Sequence, residues 1–435
     1  MLMNLLVTNS HSPQAYDIVR ALRPHAERIV VTMEGENRIK ARLSPSANSR
    51  LIDQRYYTPA PIQDWLAGNV QAENTEGEEA YIQRLLEICE KEKITAIYPS
   101  WDPNVYVLSK NLPRFKGVGV VIPIPDYQVT INAVDKHRTV QMAREVGVPC
   151  PRTYLYDRQL DLKMIVEREG FPLVIKPRFT SGGRGMAIVR NYSELSTNLD
   201  KISEKHQNPL IQEYIPGGDV SSVQFVLDQN GETKFVFYKK RVRKLRLTAR
   251  FTTVSESSMV EPYVTKLIEL LKRIGWWGAG GIETILDPRD GVHKLMEINP
   301  RYPPQIWNRL ELGINEPLMC LKIAQGESIE AIQGYLPGVL FVSPIDDIQL
   351  LALETIDRLA YNFRISVQRK PPLDSFSAPP SVPRLIKNYM QTYCGGQQKI
   401  LDPYFKYFYR DPLVSALWWL QFASWLAGGL KRVGR

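Results

Sequence analysis

Residues 281–301, GIETILDPRDGVHKLMEINPR, decide how this chain is read. The central DPRDG is rich in turn-forming residues, and the flanks alternate apolar with polar. This pattern predicts a β-hairpin with strands over about 280–286 and 292–298. Alternation along a strand puts Glu297 and Asn299 on one face, and antiparallel pairing allows Glu283 to lie opposite them. Two carboxylates and an amide oxygen form a hard-oxygen cluster suited to Mg²⁺ or Mn²⁺. Such an ion keeps some waters and takes its other ligands from phosphates. Arg301 follows on the same face, placed to meet a transferring phosphoryl group. Glu297 alone would read as an acidic residue on an exposed hairpin; the whole EINPR string fits that reading poorly.

Upstream lie three weaker signals. VIKPRFTSGGRGMAIV (174–189) reads as two strands about a glycine-rich turn. Lys176 ends the first strand, and the backbone amides around Ser181, Gly182, Gly183 and Gly185 can fold over phosphates. No GK[ST] follows, so this is not a Walker A loop, and alone it reads equally well as a plain hairpin turn. IQEYIPGGD (211–219) is a strand and turn in which Glu213, Tyr214 and Ile215 offer one acceptor and two backbone groups to an adenine edge. Asp219 is within reach of a ribose. Lys136, in isolation a solvated surface lysine, sits on a helix expected from Thr130 to Glu145 that stops at Gly147-Val148-Pro149.

The N-terminal part alternates strand and helix: strand 4–8, helix 12–22, strand 28–32, helix 79–92, then strands in ITAIYPS and VGVVIPIP. That order predicts a parallel α/β sheet. The loop after the first strand, TNSHSPQA, has no glycine, so the dinucleotide fingerprint GxGxxG is absent.

Taken together and in this order, the motifs resemble the ATP-grasp superfamily over roughly residues 1–325, most of all its carboxylate–amine ligases, including the carbamoyl-phosphate-synthase-like group. The resemblance implies an α/β chain, α+β in its ATP-grasp part: a pre-ATP-grasp domain with a parallel sheet over 1–125 and an ATP-grasp domain over 126–328. The latter comprises a lid (about 135–215) and a metal-binding core (about 216–328), followed by a helical appendage over 329–435. By resemblance, Lys136 and Lys176 hold the phosphates of ATP, and Ser181 to Gly185 cover them. Glu213 and Ile215 match the adenine hinge, and Glu283, Glu297 and Asn299 match the Mg²⁺ ligands. Arg301 matches the arginine at the reacting phosphoryl group. The implied reaction activates a carboxylate as an acyl phosphate, which an amine then converts to an amide. Carboxylation with bicarbonate, or a non-catalytic nucleotide-binding role, would use the same nucleotide site.

The formal charge of +9 has a local origin. Lys234 to Arg250 holds eight basic residues and no acid, and the remainder is nearly neutral, with 47 basic against 46 acidic residues. In the implied family this strand passes the acceptor site with an Arg-x-Arg, here Arg241 and Arg243, either of which is expected to fix a substrate carboxylate. Glycines that often follow in the family are replaced by Ala249-Arg250. A nucleic-acid partner is not expected, because the stacking aromatics of a single-strand platform are not interleaved here.

Four scattered cysteines, with no paired spacing, predict reduced thiols in a cytoplasmic protein. The N-terminus lacks the pattern of a signal peptide. Residues 412–430, PLVSALWWLQFASWLAGGL, run without a charge. They predict a helix that is buried on the body, peripheral at the inner face of the membrane, or spanning, with the first two readings ahead. The motifs do not specify the substrates or the oligomeric state.

Overall fold

The computed structural model describes residues 3–35, 44–62, 76–157, 159–180, 185–217, 219–244, 252–368, 381–402 and 411–417. It divides into two compact units, Met1–Lys240 with Ser258–Leu336, and Arg241–Ser257 with Pro337–Arg435. The second unit thus takes in the far end of the basic strand together with the chain from Pro337 onward.

The first unit opens with four parallel strands, β1 (Met3–Val7), β2 (Ala26–Glu34), β3 (Gln54–Thr58) and β4 (Ala96–Tyr98), in the order β3-β2-β1-β4. Leu6, Val30 and Ile97 cover one face of this sheet together with Tyr81, Ile82 and Leu85 of helix Glu76–Glu92 and Val105 and Leu108 of helix Asp102–Gly117. The strand expected in VGVVIPIP is only a single bridge, Ala96 to Val121. Pro123 and Pro125 lack the N–H groups that would extend the pairing.

The helix expected over 130–145 is two helices, Tyr127–Val134 and Lys136–Glu145. The break is Asp135, whose backbone is extended (φ −80°, ψ 103°) and whose carboxylate caps the second helix by accepting from the amides of His137 and Arg138. This cap makes Lys136 the first residue of a helix rather than one in its middle.

Four antiparallel strands follow, β5 (Thr153–Leu155), β6 (Leu173–Lys176), β7 (Ala187–Val189) and β8 (Leu210–Glu213), in the order β5-β8-β6-β7. Their apolar side chains meet Leu195, Leu199 and Ile202 of helix Tyr192–Ser203. Next come β9 (Val220–Leu227) and β10 (Thr233–Lys244), which pair with each other.

In the second unit, β11 (Thr252–Ser258) pairs with β14 (Leu340–Val342), which pairs with β15 (Lys399–Leu401). The hairpin of the first unit is built from β12 (Gly278–Asp287) and β13 (Val292–Asn299), with β12 flanked by β9. Among the described residues no helix is long and apolar enough to cross a membrane. Of the apolar stretch 412–430, residues 418–430 lie outside the described residues.

Candidate active site

The hairpin register places Glu283 directly opposite Glu297 and Gly281 opposite Asn299. It does so because of a β-bulge: Thr284 pairs with Leu295, leaving Met296 as the extra residue of β13. On a strictly alternating strand Leu295 would share a face with Glu297. The bulge resets the alternation, so that Leu295 and Ile298 enter the apolar core beside Ile282 and Trp276. Glu297 and Asn299 are thereby turned to the opposite side. The expected carboxylate–carboxylate–amide grouping is present. Among the described residues no group of three or more His, Cys, Asp or Glu is placed to hold a metal. Two carboxylates with an amide oxygen suit a cation that leaves its other positions to water and phosphate.

Lys136 is buried, with Nζ 3.8 Å from Glu297 Oε2, and donates a hydrogen bond to the Thr180 carbonyl. Burial raises the Glu297 carboxyl above its ordinary range, against the pull of Lys136; the facing Glu283 raises it further. Lys176, at the end of β6, is also buried. Burial, together with repulsion from Lys136, pushes its ammonium down to about 8, with Glu297 opposing. Two lysines and two carboxylates thus converge.

Arg301 donates from Nε to Asp102 Oδ2 at 3.1 Å and from Nη2 to Asn299 Oδ1 at 3.1 Å, while Asn299 donates to Glu297 at 3.5 Å. Asp102 lies at the start of helix Asp102–Gly117 and joins Val134, Lys136, Thr180, Glu297 and Asn299 in lining a small pocket. Asp102 and Arg178 were not among the residues expected from the sequence. The Asp102-Pro103 pair, an acid followed by a first-turn proline, was the available signal. Arg178 carries no such signal. Its guanidinium donates to both oxygens of the buried Asp135 and so secures the cap that presents Lys136.

The glycine-rich loop is described only from Gly185; Ser181, Gly182 and Gly183 lie outside the described residues. Gly185 has φ +69°, and a Cβ there would sit 2.8 Å from Pro177 Cγ, so both the backbone and the contact with Pro177 require glycine.

At the expected hinge, the Glu213 carboxylate accepts from Arg289 and from the Arg152 amide. Although burial alone would raise it, these donors hold the carboxyl below its usual range. The Glu213 side chain is thus committed to protein partners, and what this segment presents outward is backbone around Tyr214 and the buried Ile215. Asp219 is exposed, and its carbonyl accepts from the Leu286 amide at 2.9 Å, tying the hinge to β12.

The basic strand is largely answered by the protein's own groups. Lys234 pairs with Asp228 and Glu232, Lys240 with Glu261, and Lys239 donates to Gln305 Oε1 at 2.9 Å. Arg241 and Arg243 fall in the second unit. There Arg243 pairs with the buried Asp347, donates to Thr392, and stacks 3.6 Å from the centre of the Tyr389 ring. These contacts give Arg243 a structural anchor that its expected role on a substrate carboxylate did not foresee.

Comparison with known proteins agrees with this fold. Residues 133–303 match the family model for an ATP-grasp domain, and residues 73–123 match that for a PylC-like N-terminal domain. A pyruvate carboxylase of Aspergillus terreus is 26% identical over 234 residues, covering 50% of this chain and 19% of that protein. The carbamoyl phosphate synthase large chain of Vibrio cholerae is 24% identical over 228 residues, 49% of this chain and 21% of that one. The chain therefore spans about a fifth of the length of these curated relatives. Among solved structures, the biotin carboxylase domain of 2-oxoglutarate carboxylase from Hydrogenobacter thermophilus, in complex with MgADP, ADP and bicarbonate, has the same fold. Its TM-score is 0.60 at 19% identity, covering 78% of this chain and 74% of that one. The opposed glutamates and the paired lysines all fall within residues 133–303, so the chain carries an ATP-grasp domain, preceded by residues that match a PylC-like N-terminal domain.

Proposed function

We propose that the chain is a Mg²⁺/ATP-dependent ligase that joins a carboxylate to an amine through an acyl phosphate. The observation that carries this reading is the opposed pair Glu283 and Glu297, with Lys136 3.8 Å from Glu297 and Arg301 bonded to Asn299. Glu283, Glu297 and Asn299 would hold the metal, which when bound neutralises charge on the phosphate oxygens. Lys136 and Lys176 would bind the phosphates from the lid side, and the amides of the glycine loop ending at Gly185 would cover them. Arg301, oriented by Asp102, would stabilise charge on the transferring phosphoryl group.

In the reaction, a carboxylate oxygen attacks the γ-phosphorus as the bond to ADP breaks. The amine nitrogen then attacks the acyl carbon, phosphate leaves, and the nitrogen loses a proton. The resemblance to carboxylases favours a second reading, in which bicarbonate is the activated carboxylate. ADP and phosphate release, measured over panels of carboxylates and amines with and without bicarbonate, separates the two. Release that needs both a carboxylate and an amine, and no bicarbonate, is expected. Release that needs bicarbonate alone would overturn the ligase reading.

The depressed Lys176 sets a pH dependence. Its charged form, which attracts the triphosphate, is nearly complete a unit below its midpoint of about pH 8 and is lost as the pH rises through that value. MgATP affinity measured by calorimetry is expected to be flat from pH 6.5 to 7.5, roughly a unit below that midpoint, and to fall above pH 8 by up to about tenfold per unit. The Lys176→Met variant should bind more weakly, with no such fall. A wild-type affinity that is constant to pH 9.5, about a unit and a half above the midpoint, would remove Lys176 from phosphate binding.

A further inference from the structure

A second polar cluster lies at the carboxyl edge of the N-terminal parallel sheet, away from the hairpin. Glu34 ends β2 and is register partner to Thr58, which ends β3, so their side chains share one face. It is the face covered by the two helices, since Val30, two turns of the alternation before Glu34, and Tyr56, two residues before Thr58, both pack there. From those helices come Tyr81, whose hydroxyl donates to Glu34 Oε1 at 3.2 Å, and Asn104, whose Nδ2 donates to the same oxygen at 2.7 Å and to Tyr81 at 2.8 Å. Tyr81 and Asn104 are fully buried and Thr58 is 4% exposed, while Glu34 keeps part of its surface open.

If Glu34 only tied strand to helices, its neighbours would be satisfied. They are not: Thr58 Oγ1 and Asn104 Oδ1 are buried with no hydrogen-bond partner among the described residues. A buried acceptor left unpaired costs free energy, and two beside one carboxylate suggest a ligand that supplies the donors. Resting on the ligase reading above, we propose that this edge is a subsite for a primary ammonium group of the small-molecule substrate, with Glu34 as its counter-ion and Thr58 and Asn104 as further acceptors.

A primary ammonium carries three donors and no acceptor, which matches a carboxylate, an amide oxygen and a hydroxyl. Burial pushes the Glu34 carboxyl up to about 7, a penalty that a bound cation would offset. The crevice at the carboxyl ends of an open parallel sheet is a general location for ligands.

The test uses the full chain and three probes, ornithine, lysine and putrescine, with the forms acetylated on both amines as controls. Calorimetry should show the wild type binding at least one of the amines, with its acetylated form at least about tenfold weaker. Glu34→Gln and Thr58→Val should each weaken that binding at least about tenfold while leaving MgADP affinity unchanged. Thr58→Val is nearly isosteric and removes an orphaned hydroxyl, so it should fold at least as well as wild type and serves if Glu34→Gln does not fold. Unchanged amine affinity in Thr58→Val, equal binding of the acetylated probes, or no binding of any of the three amines by wild type would overturn the proposal. Amine binding without amine-dependent ADP release would leave the subsite standing and refute the ligase reading instead.

Discussion

Replacing Glu297 by Gln is expected to lower ATP-dependent ADP release by at least about a hundredfold while the protein stays folded. The activity effect follows from position: Glu297 faces Glu283 across the hairpin and is the carboxylate nearest Lys136. An amide of the same shape keeps the packing but halves the anionic charge available to a cation. Two terms of opposite sign govern stability. The substitution loses an attraction at 3.8 Å to Lys136 and relieves both the burial of a charge and its repulsion from Glu283. These nearly cancel, so unfolding in urea should shift by less than about 1 kcal/mol. Steady-state ADP release and MgATP calorimetry on the same preparation check both halves. Activity within a few-fold of wild type would show that the opposed glutamates are not a metal site.

The largest loss of stability is expected from Glu316→Ala. Glu316 and Arg309 are both fully buried and form a two-point pair, with Nε to Oε1 at 3.0 Å and Nη2 to Oε2 at 2.8 Å. Removing the carboxylate leaves a guanidinium in the core with its Nη1 on the Gln305 carbonyl and no counter-charge, at a cost of about 3–5 kcal/mol. A double variant, Glu316→Leu with Arg309→Met, should recover most of that loss, because two apolar side chains carry no desolvation penalty. Urea unfolding of the three proteins reads both numbers. If the single variant lost less than about 1 kcal/mol, the pair would not be a buried, desolvated one. Gln305 sits at φ +65° and its carbonyl accepts from Arg309, so the double variant, which removes that donor, also releases a constraint on the loop that follows Arg301.

Much of the catalytic pattern was legible because it is local. At the end of β13 and just beyond it, Glu297, Asn299 and Arg301 lie within five residues, and period-two alternation over so short a run is enough to group them. The DPRDG turn fixed where the hairpin reverses, which put Glu283 within reach. The lysines were legible only by resemblance, since each is one cation on one element and nothing in its neighbours brings the two together.

What alternation did not reveal is why the grouping works. Leu295 and Glu297 have the same parity and would share a face, and only the bulge at Met296 separates apolar core from polar site. A bulge depends on the pairing of two strands, not on either sequence alone. The helix break at Asp135 had a local signal, an aspartate before a polar turn, but its strength comes from Arg178, 43 residues away. Asp102 and Arg301 are 199 residues apart, and Arg243 meets Asp347 across 104. Such partners are chosen by the packing of whole elements, because a buried charge must be paired by whatever the fold brings near it.

By itself, then, the sequence determined the elements on which the candidate residues sit: a hairpin with three oxygen donors and an arginine, a glycine-rich turn, and alternating strands and helices ahead of them. The tertiary structure decided which charges remain available to a ligand. It committed Glu213 to Arg289 and Arg243 to Asp347, and it left Lys136, Lys176 and Glu297 close enough to act on one another. The reason is electrostatic. Composition counts charges one by one, whereas in a low-dielectric interior each charge is defined by its nearest partner, and those partners are distant in the chain.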